Sequence, residues 1–122
     1  MNYLYVGLGA FLGANARYWL ATWAAARFGA TFPYGTFLIN VTGSFVLGFI
    51  AAYLATRTYS PAWWLLLAVG FCGGYTTFSS YAFETFNLIE DGSLFLALLY
   101  FVGSPVAAFA AVLIGTVFGR AA

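Results

Sequence analysis

The chain of 122 residues has no histidine and no lysine, a single cysteine, and only four arginines and three acids. Each scarcity excludes a class of function. Without imidazole, and with Cys72 as the one thiol, there is no ligand set for a metal cluster, no thiol–imidazole pair and no internal disulfide. Cys72 lies inside an apolar stretch and is read as a small packed residue. A net charge of +1 offers no basic face to nucleic acid. Charged residues are 6% of the chain, against roughly 25% in a soluble domain, so they cannot solvate a globular surface. What is abundant is apolar: 64% hydrophobic residues, 22% aromatic residues and a mean hydropathy of +0.93. This is the composition of an all-α integral membrane protein. At about 20 residues per span, the length accommodates four helices and no separate soluble domain.

The spans are read as residues 3–25, 35–55, 61–88 and 94–118, a single four-helix domain over 1–122. Gly29, Pro33 and Gly35 mark the first loop, Pro61 opens the third span, and Asn87 with the run Glu90-Asp91-Gly92-Ser93 makes the last polar turn. No lysine or arginine precedes the first apolar run, and Arg17 follows it, so the first helix is expected to stay rather than to be cleaved as a signal. Arginines barely favour one side: Arg57 and Arg120 face one way, Arg27 and a snorkelling Arg17 the other. So weak a bias permits insertion in both orientations. Small residues four apart recur at Gly9/Gly13, Gly70/Gly74 and Gly115/Gly119, spacings that let helix backbones approach, within a subunit or between subunits.

Polar residues within these spans carry the functional reading. Asn40 is either glue between helices or the lining of a polar path. Arg17 either snorkels to the headgroups or draws anions into an aqueous vestibule, with Glu84 as its partner or as a vestibule residue itself. Tyr100 and Ser104 stack four apart on one helix face, and Pro105 follows. The stretch "GFCGGYTTFSSYAFET" (70–85) interrupts the third span. A helix break near Gly73-Gly74 frees carbonyls that converge as a hard-cation site suited to sodium, while the hydroxyls of Thr76, Thr77, Ser79 and Ser80 satisfy other freed groups. Phe78 and Tyr81, three apart, share a face; their positive ring edges either meet an anion or simply pack.

Three blocks, "GAFLGANARY" (9–18), "PYGTFLINVTG" (33–43) and "GFCGGYTTFSSY" (70–81), resemble the Fluc (CrcB) family of bacterial fluoride channels in order and spacing. The resemblance covers essentially the whole chain. It implies an antiparallel, dual-topology homodimer in the cell inner membrane, with two pores that export fluoride passively and no enzymatic activity. It implies a third helix broken near its middle, where backbone carbonyls of Gly73 and Thr76 from both subunits hold a structural sodium ion. It further implies a fluoride path along Asn40, Phe78, Ser79, Tyr81, Tyr100 and Ser104, with Arg17 and Glu84 flanking the vestibules. Tyr81 stands where the commoner family pattern has phenylalanine, which leads to the expectation that its hydroxyl binds the anion in place of a ring edge. Ala108 replaces a serine found in some members.

Two rival classes are set against this. A small multidrug-type proton-coupled antiporter has the same size and span number. It resembles others of its kind in a glutamate on the first helix, where this chain has no acid and only Arg17. An intramembrane enzyme needs a nucleophile with a base, and Ser79 or Ser80 with Glu84 is no such pair.

Overall fold

A computed structural model describes residues 1–122. Helix α1, Asn2–Phe28, runs without proline and ends at Gly29, whose positive φ of 83° turns the chain while its N–H closes on the Ala25 carbonyl. Helix α2, Tyr34–Ala55, starts directly after Pro33. Helix α3, residues 61–75, is capped at its start by the Ser60 hydroxyl, which accepts the Ala62 N–H, with Pro61 in the first helical position. From Trp64 to Cys72 its hydrogen bonds widen to the π pattern, a run far longer than the single-turn bulge usual for this geometry. Helix α4, Phe78–Glu90, begins after two extended residues and ends before Gly92, the second residue with positive φ. Helix α5, Leu94–Ala121, continues unbroken through Pro105.

There is no strand. The chain makes four helical passes, the third of them divided between α3 and α4. Helices α2 and α5 are each long and apolar enough to cross a membrane. Apolar side chains cover the outside as well: Phe95, Leu98, Phe109 and Val117 of α5 are all exposed in the single chain, as are Tyr3, Phe11 and Trp19 of α1. Surfaces of that kind require lipid or protein against them.

Glycines set the helix pairing. Helix α1 lies against α3, and a Cβ on Gly70 would come 2.7 Å from the Val6 carbonyl oxygen and 3.0 Å from the Gly9 Cα. A Cβ on Gly13 would come 2.9 Å from the Tyr75 nitrogen, and one on Gly74 would come 2.8 Å from the Ala10 oxygen. Helices α2 and α5 form the second tight pair. There a Cβ on Gly119 would meet the Ala52 Cβ at 2.9 Å, and one on Gly48 would meet the Val112 Cα at 3.1 Å. All three glycine pairs left open by sequence spacing are thus spent inside the subunit. Backbones can approach this closely only where no side chain intervenes.

Gly73 and Gly74 are not where the helix parts. Both are helical, with Gly73 at φ −64°, ψ −38°; the extended residues are Thr76 and Thr77. The expected break therefore shifts two to three residues along the chain. Gly74 serves close packing on α1, and the backbone opens where a side chain of α2 competes for its hydrogen bonds.

Candidate functional site

That side chain is Asn40. Its Nδ2 donates to the Thr77 carbonyl at 3.0 Å and its Oδ1 accepts the Thr77 N–H at 2.9 Å. One amide thus clamps one extended residue at two points, as a neighbouring strand would. Opening the helix here deprives the last carbonyls of α3 of their regular donors, and in an apolar setting each needs a substitute. The Cys72 carbonyl is the last to keep its regular donor, the Thr76 N–H (3.0 Å), and it accepts the Thr76 hydroxyl as well (2.8 Å). The Gly74 carbonyl receives Nε of Arg17 at 3.2 Å. The Ser80 N–H turns to the Thr77 hydroxyl at 3.2 Å, which caps α4. Three carbonyls, those of Gly73, Tyr75 and Thr76, are left without their helical donors. The Thr77 N–H due to Gly73 has gone to Asn40, and the Ser80 N–H due to Thr76 has gone to the Thr77 hydroxyl.

Beside this junction lies a cavity of about 300 Å³ whose walls include Asn40, Thr77, Phe78, Tyr81, Ser104 and Pro105. Four of the six residues of the expected fluoride path, Asn40, Phe78, Tyr81 and Ser104, are therefore brought together from three helices. Phe78 is 79% exposed in the single chain, whereas Tyr81, one turn on, is 6% exposed, their ring centroids 5.7 Å apart. The Tyr81 hydroxyl donates to the Phe101 carbonyl. Its proton is therefore committed to α5 and not offered to the cavity, contrary to the expectation that it binds an anion. Ser79 does not line the cavity; its hydroxyl lies 3.5 Å from that of Thr77. Tyr100 is buried behind the wall, its ring 5.3 Å from that of Tyr81 and 5.4 Å from that of Phe32. Its hydroxyl is the one buried side-chain polar atom with no hydrogen-bond partner.

Arg17 and Glu84 do not pair. Arg17 reaches the Gly74 carbonyl, while Glu84 accepts a hydrogen bond from the Thr36 hydroxyl at 2.6 Å. Glu84 and Thr36 line a second, polar cavity of about 230 Å³, together with Thr31, Asn87 and Asp91. Thr36 escaped the sequence reading, although it precedes Asn40 by four residues and so shares its helix face. Asn87 and Asp91, expected from sequence as residues of the last polar turn, line this cavity as well. The role of Thr77 as the residue that Asn40 holds had no signal in sequence, because it depends on the pairing of α2 with the junction.

The family model described as "CrcB-like protein, Camphor Resistance (CrcB)" matches residues 4–116. The chain belongs to the CrcB family. Within it, a protein of Trichormus variabilis named "Fluoride-specific ion channel FluC" is 49% identical over 117 residues, 94% of this chain and 85% of that protein. A protein of the same name from Chloroflexus aurantiacus is 45% identical over 98% of this chain and 95% of its own length. One from Acidobacterium capsulatum is 47% identical over 98% and 97%. The CrcB match spans the clamp, the cavity and the glycine-packed helix pairs up to Gly115, with Gly119 just beyond it.

Proposed function

We propose that this chain is the subunit of a fluoride-selective channel that lets the anion leave the cell passively across a bacterial inner membrane, giving fluoride resistance. The observation that carries it is the cavity at the α3–α4 junction, in a chain near half identical to proteins named as fluoride-specific ion channels. Fluoride is small and strongly hydrated, so a path for it must replace water with close donors and little else. The amide of Asn40 retains one N–H beyond the one given to Thr77. The first turn of α4 directs N–H groups outward, and a helix start favours negative charge. The Ser104 hydroxyl, the ring edge of Phe78 and the unpartnered Tyr100 hydroxyl extend the series, with Ser79 beside the exposed Phe78 ring. None of these carries a full positive charge that would trap the ion. Arg17 and Glu84 belong to the wider approaches.

The working unit in this reading is an antiparallel, dual-topology homodimer with two pores. The carbonyls of Gly73 and Thr76, deprived of helical donors, have the chemistry for a hard cation, and a copy of the pair from the second subunit would complete the oxygen set for a structural sodium ion. Such an ion supplies fixed positive charge that holds the two junctions together. Gly73 fits an intersubunit position, because a Cβ there meets nothing within 4 Å inside the chain. Gly73→Val is therefore expected to leave the helices intact and to convert the dimer to monomer, read by light scattering in detergent and by circular dichroism. A stable Gly73→Val dimer would remove the sodium site from this position.

The function is tested by fluoride efflux from liposomes holding the purified protein, with valinomycin carrying potassium and chloride as the control anion. Rapid loss of fluoride with retention of chloride is expected. No fluoride flux from folded dimers would sink the reading and make Glu84 the residue to examine for proton-coupled transport. Phe78→Ile should separate function from fold. Its ring packs on little in the single chain, so stability should hold, while flux falls by about tenfold or more if an edge contact worth ~1.4 kcal/mol is lost at the barrier.

A further inference from the structure

Phe101 and Pro105 are four residues apart in α5. In an unbroken helix the carbonyl of residue 101 accepts the N–H of residue 105, and proline has none to give. The substitute comes from another helix: the Tyr81 hydroxyl of α4 donates to that same Phe101 carbonyl. The ring that carries the hydroxyl is held on several sides. It lies nearly parallel to the Phe101 ring, with centroids 5.9 Å apart and planes 9° apart, and packs on Tyr100 and Phe78 at 5.3 Å and 5.7 Å.

We propose that Tyr81 is a positioning residue of the pore, whose hydroxyl supplies the hydrogen bond that Pro105 withholds. Two consequences follow for the cavity that Tyr81 and Pro105 both line. The ring is fixed at the cavity wall, because its para oxygen is anchored one helical turn before Pro105. The carbonyl, one turn before the cavity-lining Pro105, has its partial negative charge offset by the bond. A phenol has one proton, so a hydroxyl serving Phe101 is not an anion ligand. The inference rests on the channel reading for its functional half, but the hydrogen bond can be tested without it.

The test is a double-mutant cycle with two readouts, fluoride efflux and the thermal midpoint in detergent. Pro105→Ala restores an N–H at position 105 and so makes the hydroxyl redundant. Tyr81→Phe in the otherwise native chain is expected to lower the midpoint by about 5 °C and to slow fluoride efflux about tenfold, consistent with one buried carbonyl left unpaired. In the Pro105→Ala background the same exchange should lose less than half as much by either measure. Equal losses in both backgrounds would overturn the proposal, since a hydroxyl acting directly on the anion is not rescued by a backbone N–H. Tyr81→Phe without effect on either measure would overturn it as well. Should Pro105→Ala not fold, Pro105→Ser returns the same N–H. A midpoint cycle that closes as expected, with no flux from any variant, would sink the channel reading and leave the hydrogen-bond substitution standing. Flux without coupling between positions 81 and 105 would sink the substitution alone.

Discussion

Asn40→Ala is expected to abolish fluoride efflux and to destabilise the chain by about 2–6 kcal/mol, one unsatisfied group of ~1–3 kcal/mol for each end of the lost amide. The clamp on Thr77 uses a donor and an acceptor on one short side chain, at 3.0 Å and 2.9 Å. Alanine leaves the Thr77 N–H and C=O both unpaired where lipid offers no replacement. The junction is then no longer held to α2, and Phe78, the next residue, loses its fixed place at the cavity. Asn40→Asp sharpens the distinction. A carboxylate still accepts the Thr77 N–H, but it cannot donate to the Thr77 carbonyl and it repels an anion. It should keep part of the stability and none of the flux. Thermal midpoints of the two variants, measured beside their efflux rates, check this. If both variants unfold as the native chain does, Asn40 is not the clamp on the junction.

Gly70→Ala carries the second large effect. The new methyl group would sit 2.7 Å from the Val6 oxygen and 3.0 Å from both the Leu65 oxygen and the Gly9 Cα, all main-chain atoms that cannot rotate aside. Helix α1 must then withdraw from α3, and overpacking of this kind costs about 1–3 kcal/mol for a small group, more when backbone must move. Arg17 rides on α1, so the withdrawal also takes its Nε from the Gly74 carbonyl, now 3.2 Å away, and unpairs a further carbonyl at the junction. Loss of a monodisperse peak in size-exclusion chromatography is the expected result. Gly103→Ala is the control, since its Cβ meets nothing within 4 Å. Equal behaviour of the two variants would mean that α1 and α3 are not in the close contact described.

How far the sequence reached differs from residue to residue. An all-helical membrane protein of the CrcB family was legible because mean hydropathy, sparse charge and three motif blocks are properties of the chain in order. Of the four hydroxyls expected to satisfy freed backbone groups, that of Thr77 does so by taking the Ser80 N–H; that of Thr76 adds to the Cys72 carbonyl, which keeps its own helical donor, and those of Ser79 and Ser80 reach only the Thr77 hydroxyl. The break is expected near Gly73-Gly74 and falls two to three residues on, at Thr76-Thr77, because Gly74 is used for close packing on α1 and stays helical. Arg17 and Glu84 were both legible as costly charges, but their partners, the Gly74 carbonyl and the Thr36 hydroxyl, lie 57 and 48 residues away.

By itself the sequence determined the solvent and the inventory: a chain for the bilayer, made of helices, with a small set of polar side chains that must each find a partner. Hydropathy and residue type decide this, since lipid penalises every unpaired polar group wherever the chain places it. Only the tertiary structure decided the pairing. It turned the Asn40 amide onto Thr77, gave the Tyr81 proton to the carbonyl that Pro105 leaves open, and kept the glycine pairs within one subunit. A hydrogen bond is satisfied by whichever donor lies within about 3 Å in the right direction, and separation along the chain does not specify that distance.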